Sequence, residues 1–401
     1  MDILRFITAG NVDDGKSTLI GRLLYDTGNI KTDVLQTITG EDTINLAHIT
    51  DGLRAERQQG ITIDVAYKYF TTADRKFIIS DAPGHFQYTK NLVTGASGAD
   101  VMILLVDAVT GITAQTKRHA LVASFLRKKQ IVVAINKIDA VGYSQAIYTS
   151  VCDTFSNIAA HLSLPGITYI PISALLGDNV INLSTNTPWY RGASLLQYLE
   201  LCPPDQPINN IFRFIVQYVT KGNGIQYCAG KVVAGFVCAG DTVVIYPDGC
   251  TAVVRMIMNG FQDTDIAHAG QSVCLYIECT QAISRGSTIS ESNIIPQVNN
   301  TMDVNVCWLD EEPLVPGKEY YLQMNSCNTI CCINEIISKT SVDTLENLPG
   351  GVTLEMNEFA RIKIKTKDSL AFDSFQHIPP TGRGIIIDME TYYTSGAFVI
   401  L

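Results

Sequence analysis

From residue 3 to about residue 200, short apolar runs rich in β-branched residues alternate with helix-length segments. The runs fall at 3–9, 76–80, 101–106, 131–135 and 169–172. Such alternation predicts a mainly parallel sheet. Four of the runs end in loops carrying polar or glycine residues, as expected if a ligand binds along the carboxyl edge. The stretch Cys202-Pro203-Pro204-Asp205-Gln206-Pro207 breaks the preceding helix and reads as a linker. Beyond it come β-rich runs at 212–219, 231–233, 241–246 and 253–258, separated by Gly, Asp and Asn turns, which predict a β-barrel. After Ile295-Pro296, runs at 304–308, 319–324, 329–337, 351–357, 360–365 and 384–387 predict a second barrel. The expected division is an α/β domain over 1–204, followed by two mainly antiparallel β-barrels over 205–296 and 297–401. Neither a fixed-period repeat nor a low-complexity segment interrupts it.

Composition narrows the class. A chain of 401 residues buries a large core and favours more than one domain. With 46% hydrophobic and 17% charged residues it reads as an ordered globular protein, and its mean hydropathy of +0.16 agrees. No apolar run approaches the ~20 residues that span a bilayer, so no membrane association is expected. The first run is brief, lacks a basic leader and enters a glycine loop directly; it reads as a strand, not a signal peptide, and a cytoplasmic location is expected. The 11 cysteines then belong to a reducing compartment. The tightest group, Cys327, Cys331 and Cys332, has no matching histidine cluster, so metal or redox chemistry is not assigned to it. A net charge of −10 disfavours a nonspecific nucleic-acid binder, although a local basic face on an acidic protein stays compatible with RNA.

The first run leads into Gly10-Asn11-Val12-Asp13-Asp14-Gly15-Lys16-Ser17, which satisfies G-x-x-x-x-G-K-[ST], and then into a helical segment opening on Thr18. A polyphosphate needs a loop small enough for successive backbone N–H groups and a helix N-terminus to converge on it. Lys16 is expected to reach the β- and γ-phosphates and Ser17 to bind Mg²⁺. This loop alone does not separate ATP from GTP. Asp81-Ala82-Pro83-Gly84 follows the run at 76–80; Asp81 can hold Mg²⁺ through water, and the Gly84 N–H can meet the γ-phosphate. Between them Arg57-Gln58-Gln59-Gly60-Ile61-Thr62-Ile63 offers the Thr62 hydroxyl to the metal, although threonine also sits naturally in a β-branched run.

Asn136-Lys137-Ile138-Asp139 is read as the base-recognition segment. Asp139 can accept from guanine N1–H and the exocyclic amine. Adenine has an acceptor at N1 and lacks that amine, so an unpaired buried carboxylate penalises it, by roughly 10⁴–10⁵ in comparable sites. Ser173-Ala174-Leu175 can offer a backbone N–H to guanine O6. His85 is the candidate for orienting the attacking water, so catalysis is assigned to His85, Lys16 and Thr62. His48, His119, His161, His268 and His377 are read as structural. Phosphoryl transfer is mostly positioning and charge stabilisation, so slow turnover is expected until a partner adds a step worth roughly 10³–10⁵. The predicted fold class is therefore an α/β P-loop GTPase domain followed by two mainly antiparallel β-barrels.

The segments 10–17, 53–64 and 81–85 resemble the translation-factor class of GTPases, which pair a G domain with two β-barrels. More narrowly, residues 10–26, 54–67, 87–91, Pro313-Leu314-Val315-Pro316-Gly317-Lys318 and Thr381-Gly382-Arg383-Gly384 resemble the large, GTPase subunit family of bacterial sulfate adenylyltransferase. That resemblance covers essentially the whole chain. It implies a heterodimer with a smaller catalytic subunit that makes adenosine 5′-phosphosulfate and pyrophosphate from ATP and sulfate, driven by GTP hydrolysis to GDP here, with no nucleic-acid partner. The family's nucleotide contacts carry over by motif to Lys16, Ser17, Thr62, Asp81, Gly84, His85, Asn136, Lys137 and Asp139. Phe86 stands where an acidic residue is expected and Ala82 where threonine is usual, and 225–230 lacks the common aromatic-arginine run. With no second P-loop before Leu401, a separate adenylylsulfate kinase is expected. The alternatives are an elongation-factor-like carrier of aminoacyl-tRNA and a regulatory GTPase that only binds a partner. Asn11, Asp14 and Gln226-Tyr227-Cys228-Ala229-Gly230-Lys231 depart from the carrier pattern.

Overall fold

The structure, a computed structural model, describes residues 2–30, 46, 64–205, 208, 210–222 and 225–401. They form two compact units: Met1–Asp205 with Val342–Leu345, and Gln206–Ser341 with Glu346–Leu401.

The first unit runs β1 (Ile3–Ala9), α1 (Lys16–Asp26), β2 (Ala66–Thr71), β3 (Lys76–Asp81), α2 (Thr89–Ser97), β4 (Val101–Asp107), α3 (Ala114–Phe125), β5 (Gln130–Asn136), α4 (Gln145–His161), β6 (Ile167–Pro171) and α5 (Leu195–Leu201). The sheet order is β2-β3-β1-β4-β5-β6, parallel except for the antiparallel edge strand β2. The central strand β4 is buried at every residue, as a strand covered on both faces must be. Helix starts are set by side chains: Thr113 and Thr116 make a capping box at α3, Ser144 caps α4, and Ser194 with Gln197 boxes α5. Phe6, Phe70 and Phe77 cluster on one face of the sheet, the latter two stacked at 4.5 Å. The buried Arg75 donates to the carbonyls of Leu199 at 2.9 Å, Glu200 at 3.2 Å and Cys202, satisfying the C-terminus of α5.

The second unit holds two barrels. The first contains β7 (Arg213–Gly222), β8 (Ile225–Ala234), β9 (Phe236–Cys238), β10 (Thr242–Tyr246), β11 (Cys250–Asn259), β12 (Gln262–Thr264), β13 (Ile266–His268), β14 (Ser272–Glu278) and β15 (Thr288–Glu291). Its order β10-β15-β7-β8-β14-β11 closes where β10 pairs β11. The second contains β16 (Gln297–Trp308), β17 (Glu319–Met324), β18 (Cys327–Thr340), β19 (Asn347–Pro349), β20 (Phe359–Phe372), β21 (Arg383–Ile387) and β22 (Thr394–Ile400). Here β17-β21-β22-β16-β20-β18 closes through β17 and β18. Both are closed, six-stranded and antiparallel, which removes the open edges a β domain must otherwise protect. Within this unit the buried Arg213 of β7 makes a two-pronged ion pair with Asp373, just past β20, at 3.0 and 2.9 Å.

One predicted strand is corrected. Residues 351–357 form turns, with a single bridge from Leu354 to Leu314. Gly350 and Gly351 precede it and Asn357 takes φ 67, a left-handed conformation that no strand holds. Among the described residues no helix is long and apolar enough to cross a membrane.

Candidate functional site

Parallel pairing brings the functional segments to one edge of the sheet. It sets Thr8 of β1 opposite Asp81 of β3, and Asp107 of β4 opposite Asn136 of β5. The loops that follow these residues therefore share one edge.

The loop between β1 and α1 is shaped by its own side chains. The Asn11 N–H donates to Asp14 Oδ2 at 2.6 Å, and the Val12 N–H to Asn11 Oδ1 at 2.9 Å. Asp13 takes φ 68 and Gly15 φ 91. A Cβ on Gly15 would also strike the Asn136 amide nitrogen, so glycine is required for conformation and for approach. Gly15, the N-cap of α1, has no side chain to bond the first-turn amides, which leaves a helix N-terminus suited to an anion. Lys16, 7% exposed, bends back so that Nζ donates to the carbonyls of Gly10 at 3.0 Å and Asn11 at 2.7 Å. Burial lowers its pKa, while the carboxylates of Asp81, Asp14 and Asp13 act in the opposite sense. Burial also raises the Asp14 carboxyl.

Asp81 closes β3, 2% exposed, and accepts from the Thr8 hydroxyl at 3.4 Å. A Cβ on Gly84 would meet the Lys16 ammonium and come within 2.8 Å of the Gly10 carbonyl oxygen, so the backbone at 84 lies directly on the phosphate-type loop. The Ser17 hydroxyl and Asp81 carboxylate thus stand in two segments held together. They are hard oxygen donors, and their chemistry fits Mg²⁺, which takes one or two protein oxygens and keeps the rest for water and phosphate. Thr62 lies outside the described residues. Thr18 is half-buried beside Ser17 on α1. His85 caps the short 3₁₀ turn Phe86–Tyr88; its Nδ1 accepts from the Gln87 N–H at 3.4 Å, and its ring lies 6.0 Å from those of Phe86 and Tyr88.

On the other side of the phosphate-type loop, the buried Asn136 donates from Nδ2 to the Asp14 carbonyl at 2.7 Å and accepts at Oδ1 from the Ala174 N–H at 2.9 Å. Its amide joins that loop to the 173–175 segment. Lys137 takes φ 59 and its Nζ sits 2.8 Å from Asp107 Oδ2. Burial pushes the Asp107 carboxyl up, but the hydrogen bonds from Lys137 and the Val109 N–H outweigh it, and its pKa lies below the ordinary value. Asp139 follows two residues on, half-buried. The Leu176 N–H donates to Ser173 Oγ at 3.2 Å, and Arg22 of α1 donates to the carbonyls of Ala174 at 3.3 Å and Leu175. Sequence reading missed Asp107 and Arg22. The first had a signal, a carboxylate at a strand end level with Asn136; the second, a surface arginine 152 residues from its partner Ala174, had none.

The Elongation factor Tu GTP binding domain family matches residues 1–221, and the GTP-eEF1A C-terminal domain-like family matches 301–400. Sulfate adenylyltransferase subunit 1 of Francisella tularensis subsp. novicida is 43% identical across 100% of this chain and 87% of its own. Its namesake from Alteromonas mediterranea is 42% identical with the same coverage. Among solved structures, the GTPase-like domain of S. cerevisiae Ski7, bound to GTP, covers 100% of this chain and 97% of its own at 16% identity, with a TM-score of 0.55, a likeness of fold. A GTP-binding domain of the translation-factor class, followed by two closed barrels and matched along its whole length to these enzyme subunits, places the chain in the sulfate adenylyltransferase subunit 1 family.

Proposed function

We propose that this chain binds GTP with Mg²⁺ at the carboxyl edge of its sheet, hydrolyses it to GDP and phosphate, and so drives a smaller partner subunit that forms adenosine 5′-phosphosulfate and pyrophosphate from ATP and sulfate. The observation that carries the reading is the Asn136 amide, which ties the phosphate-type loop to the 173–175 segment and so sets a triphosphate cradle at a fixed reach from Asp139. The backbone amides of 10–15, the start of α1 and Lys16 hold the phosphates. Ser17, Asp81 and Thr62 would hold the metal, which when bound neutralises charge on the β- and γ-oxygens. Asp139 accepts from the guanine edge, Lys137 is fixed by Asp107, and the backbone at Ser173, Ala174 and Leu175 meets O6. His85 orients the water and Gly84 lets the backbone approach the γ-phosphate. The functional division follows 1–204, 205–296 and 297–401. The 11 free thiols support a cytoplasmic location.

The test is GTP turnover by the chain alone and with the small subunit, ATP and sulfate. Slow turnover alone and a rise of roughly 10²-fold or more in the full mixture are expected. Stimulation by ribosomes, with none by sulfate and partner, overturns the reading in favour of a translational role.

A further inference from the structure

Phe86, 40% exposed, directly follows His85, and its ring face meets the guanidinium of Arg118 on α3 at 5.7 Å from the centroid. Arg118 is itself held. Its Nη1 donates to Gln115 Oε1 at 2.6 Å, and Gln115 Nε2 lies 2.9 Å from His119 Nε2. Arginine only donates, so the Gln115 oxygen faces it and the Gln115 amine faces the histidine. His119 Nε2 therefore accepts, and its proton sits on Nδ1, which has no hydrogen-bond partner among the described residues. Burial keeps this ring neutral, its pKa pushed down to about 3, with the charges of Lys16 and Arg118 adding to the effect. Residues 115, 118 and 119 share one helix face, so the chain His119–Gln115–Arg118 is a stiff strut from the core to the Phe86 ring. From the other side the Phe86 carbonyl accepts from Thr89 Oγ1 at 2.7 Å, and the Tyr88 N–H donates to the His85 carbonyl at 3.0 Å. The short turn carrying His85 is thus gripped by its backbone and by one cation–π contact.

We infer that Arg118 is a positioning residue for GTP hydrolysis: by holding the Phe86 ring it fixes the turn that presents His85. The inference rests on the proposed role of His85 as the group that orders the water. A cation–π contact contributes modestly at a half-exposed site, so the effect belongs in the hydrolysis rate at saturating GTP and not in affinity.

The test is GTP hydrolysis by the full chain with Mg²⁺ under single-turnover conditions, with GTP affinity measured in parallel. Phe86→Leu keeps bulk and removes the aromatic face; Arg118→Met keeps the stem and removes the charge. Each is expected to slow hydrolysis about threefold to tenfold while GTP affinity shifts by less than about twofold. The double variant falls no further than either single one, and Phe86→Tyr, which restores the face, recovers most of the rate. His85→Ala slows hydrolysis further, and Phe86→Leu has no added effect on that background. Hydrolysis by Phe86→Leu at the unsubstituted rate, or losses that multiply in the double variant, overturn the inference while the His85→Ala defect stands. A silent His85→Ala overturns the assignment of His85 and this inference with it.

Discussion

Asn136 commits both ends of its amide to backbone, donating to Asp14 and accepting from Ala174, so it builds the pocket between the loops on either side. The residue proposed to face a base is Asp139, three positions on and half-buried. Asp139→Asn exchanges an acceptor for a donor, which mismatches the guanine N1–H and matches the xanthine carbonyl. The variant is expected to lose about 10²-fold or more in GTP affinity and to gain for xanthosine triphosphate, read by competition against a labelled guanine nucleotide. An unchanged preference removes Asp139 from base recognition. Gly15 and Gly84 bear on the same pocket from the phosphate end: a methyl group at either position runs into Asn136 or Lys16.

Among the elements, α3 carries a pH signature. His119 is buried and neutral, with its pKa lowered from 6.5 to about 3 by burial, and then by Lys16 and Arg118. Its folded pKa lies below the unfolded one, so on acidification the unfolded chain takes up the proton first and stability falls between about pH 6.5 and pH 3. From pH 7.5 to pH 5 this one group is expected to remove about 2 kcal/mol. His119→Gln keeps a polar side chain and abolishes the titration. Its urea-unfolding free energy should fall by about 2 kcal/mol less over that interval than the unsubstituted chain's; parallel losses would contradict the assignment. The same scale shows what the residue pattern discloses. β1, β3, β4 and β5 were legible because a sheet buried on both faces writes continuous apolar runs that stop at motif-bearing loops. β2 was not: it is an edge strand that buries Phe70 alone and leaves Tyr67, Tyr69 and Thr71 outward. The long barrel strands β18 and β20 were legible only in part, as the runs at 329–337 and 360–365, and fell short of their full lengths for another reason. Bulges between Ile333 and Glu335 and between Ile336 and Ser338 reset which side chains face inward, so period-two alternation fails along β18. The segment 351–357 erred in the other direction, its apolar residues lying in turns around Asn357. In the candidate site, motifs named the residues in contact with loops, whereas Asp107, Arg22 and the Gln115–Arg118 pairing depend on tertiary register that spacing does not record.

For the whole molecule, two compact units divide the work: an α/β unit with the nucleotide edge, and a unit of two closed barrels whose members are pinned by Arg213 and Asp373. A barrel spends its inward residues on its own core, so its outer surface is what it can offer a partner, and a nucleotide switch in the α/β unit is useful only if it selects guanine in the first place. Calorimetric titration of the folded, nucleotide-free full chain with GDP and ADP in the presence of Mg²⁺ tests that claim most directly. The account predicts tight, saturable GDP binding and ADP binding weaker by about 10³-fold or more. Equal affinity for the two, or no binding of GDP, would contradict it.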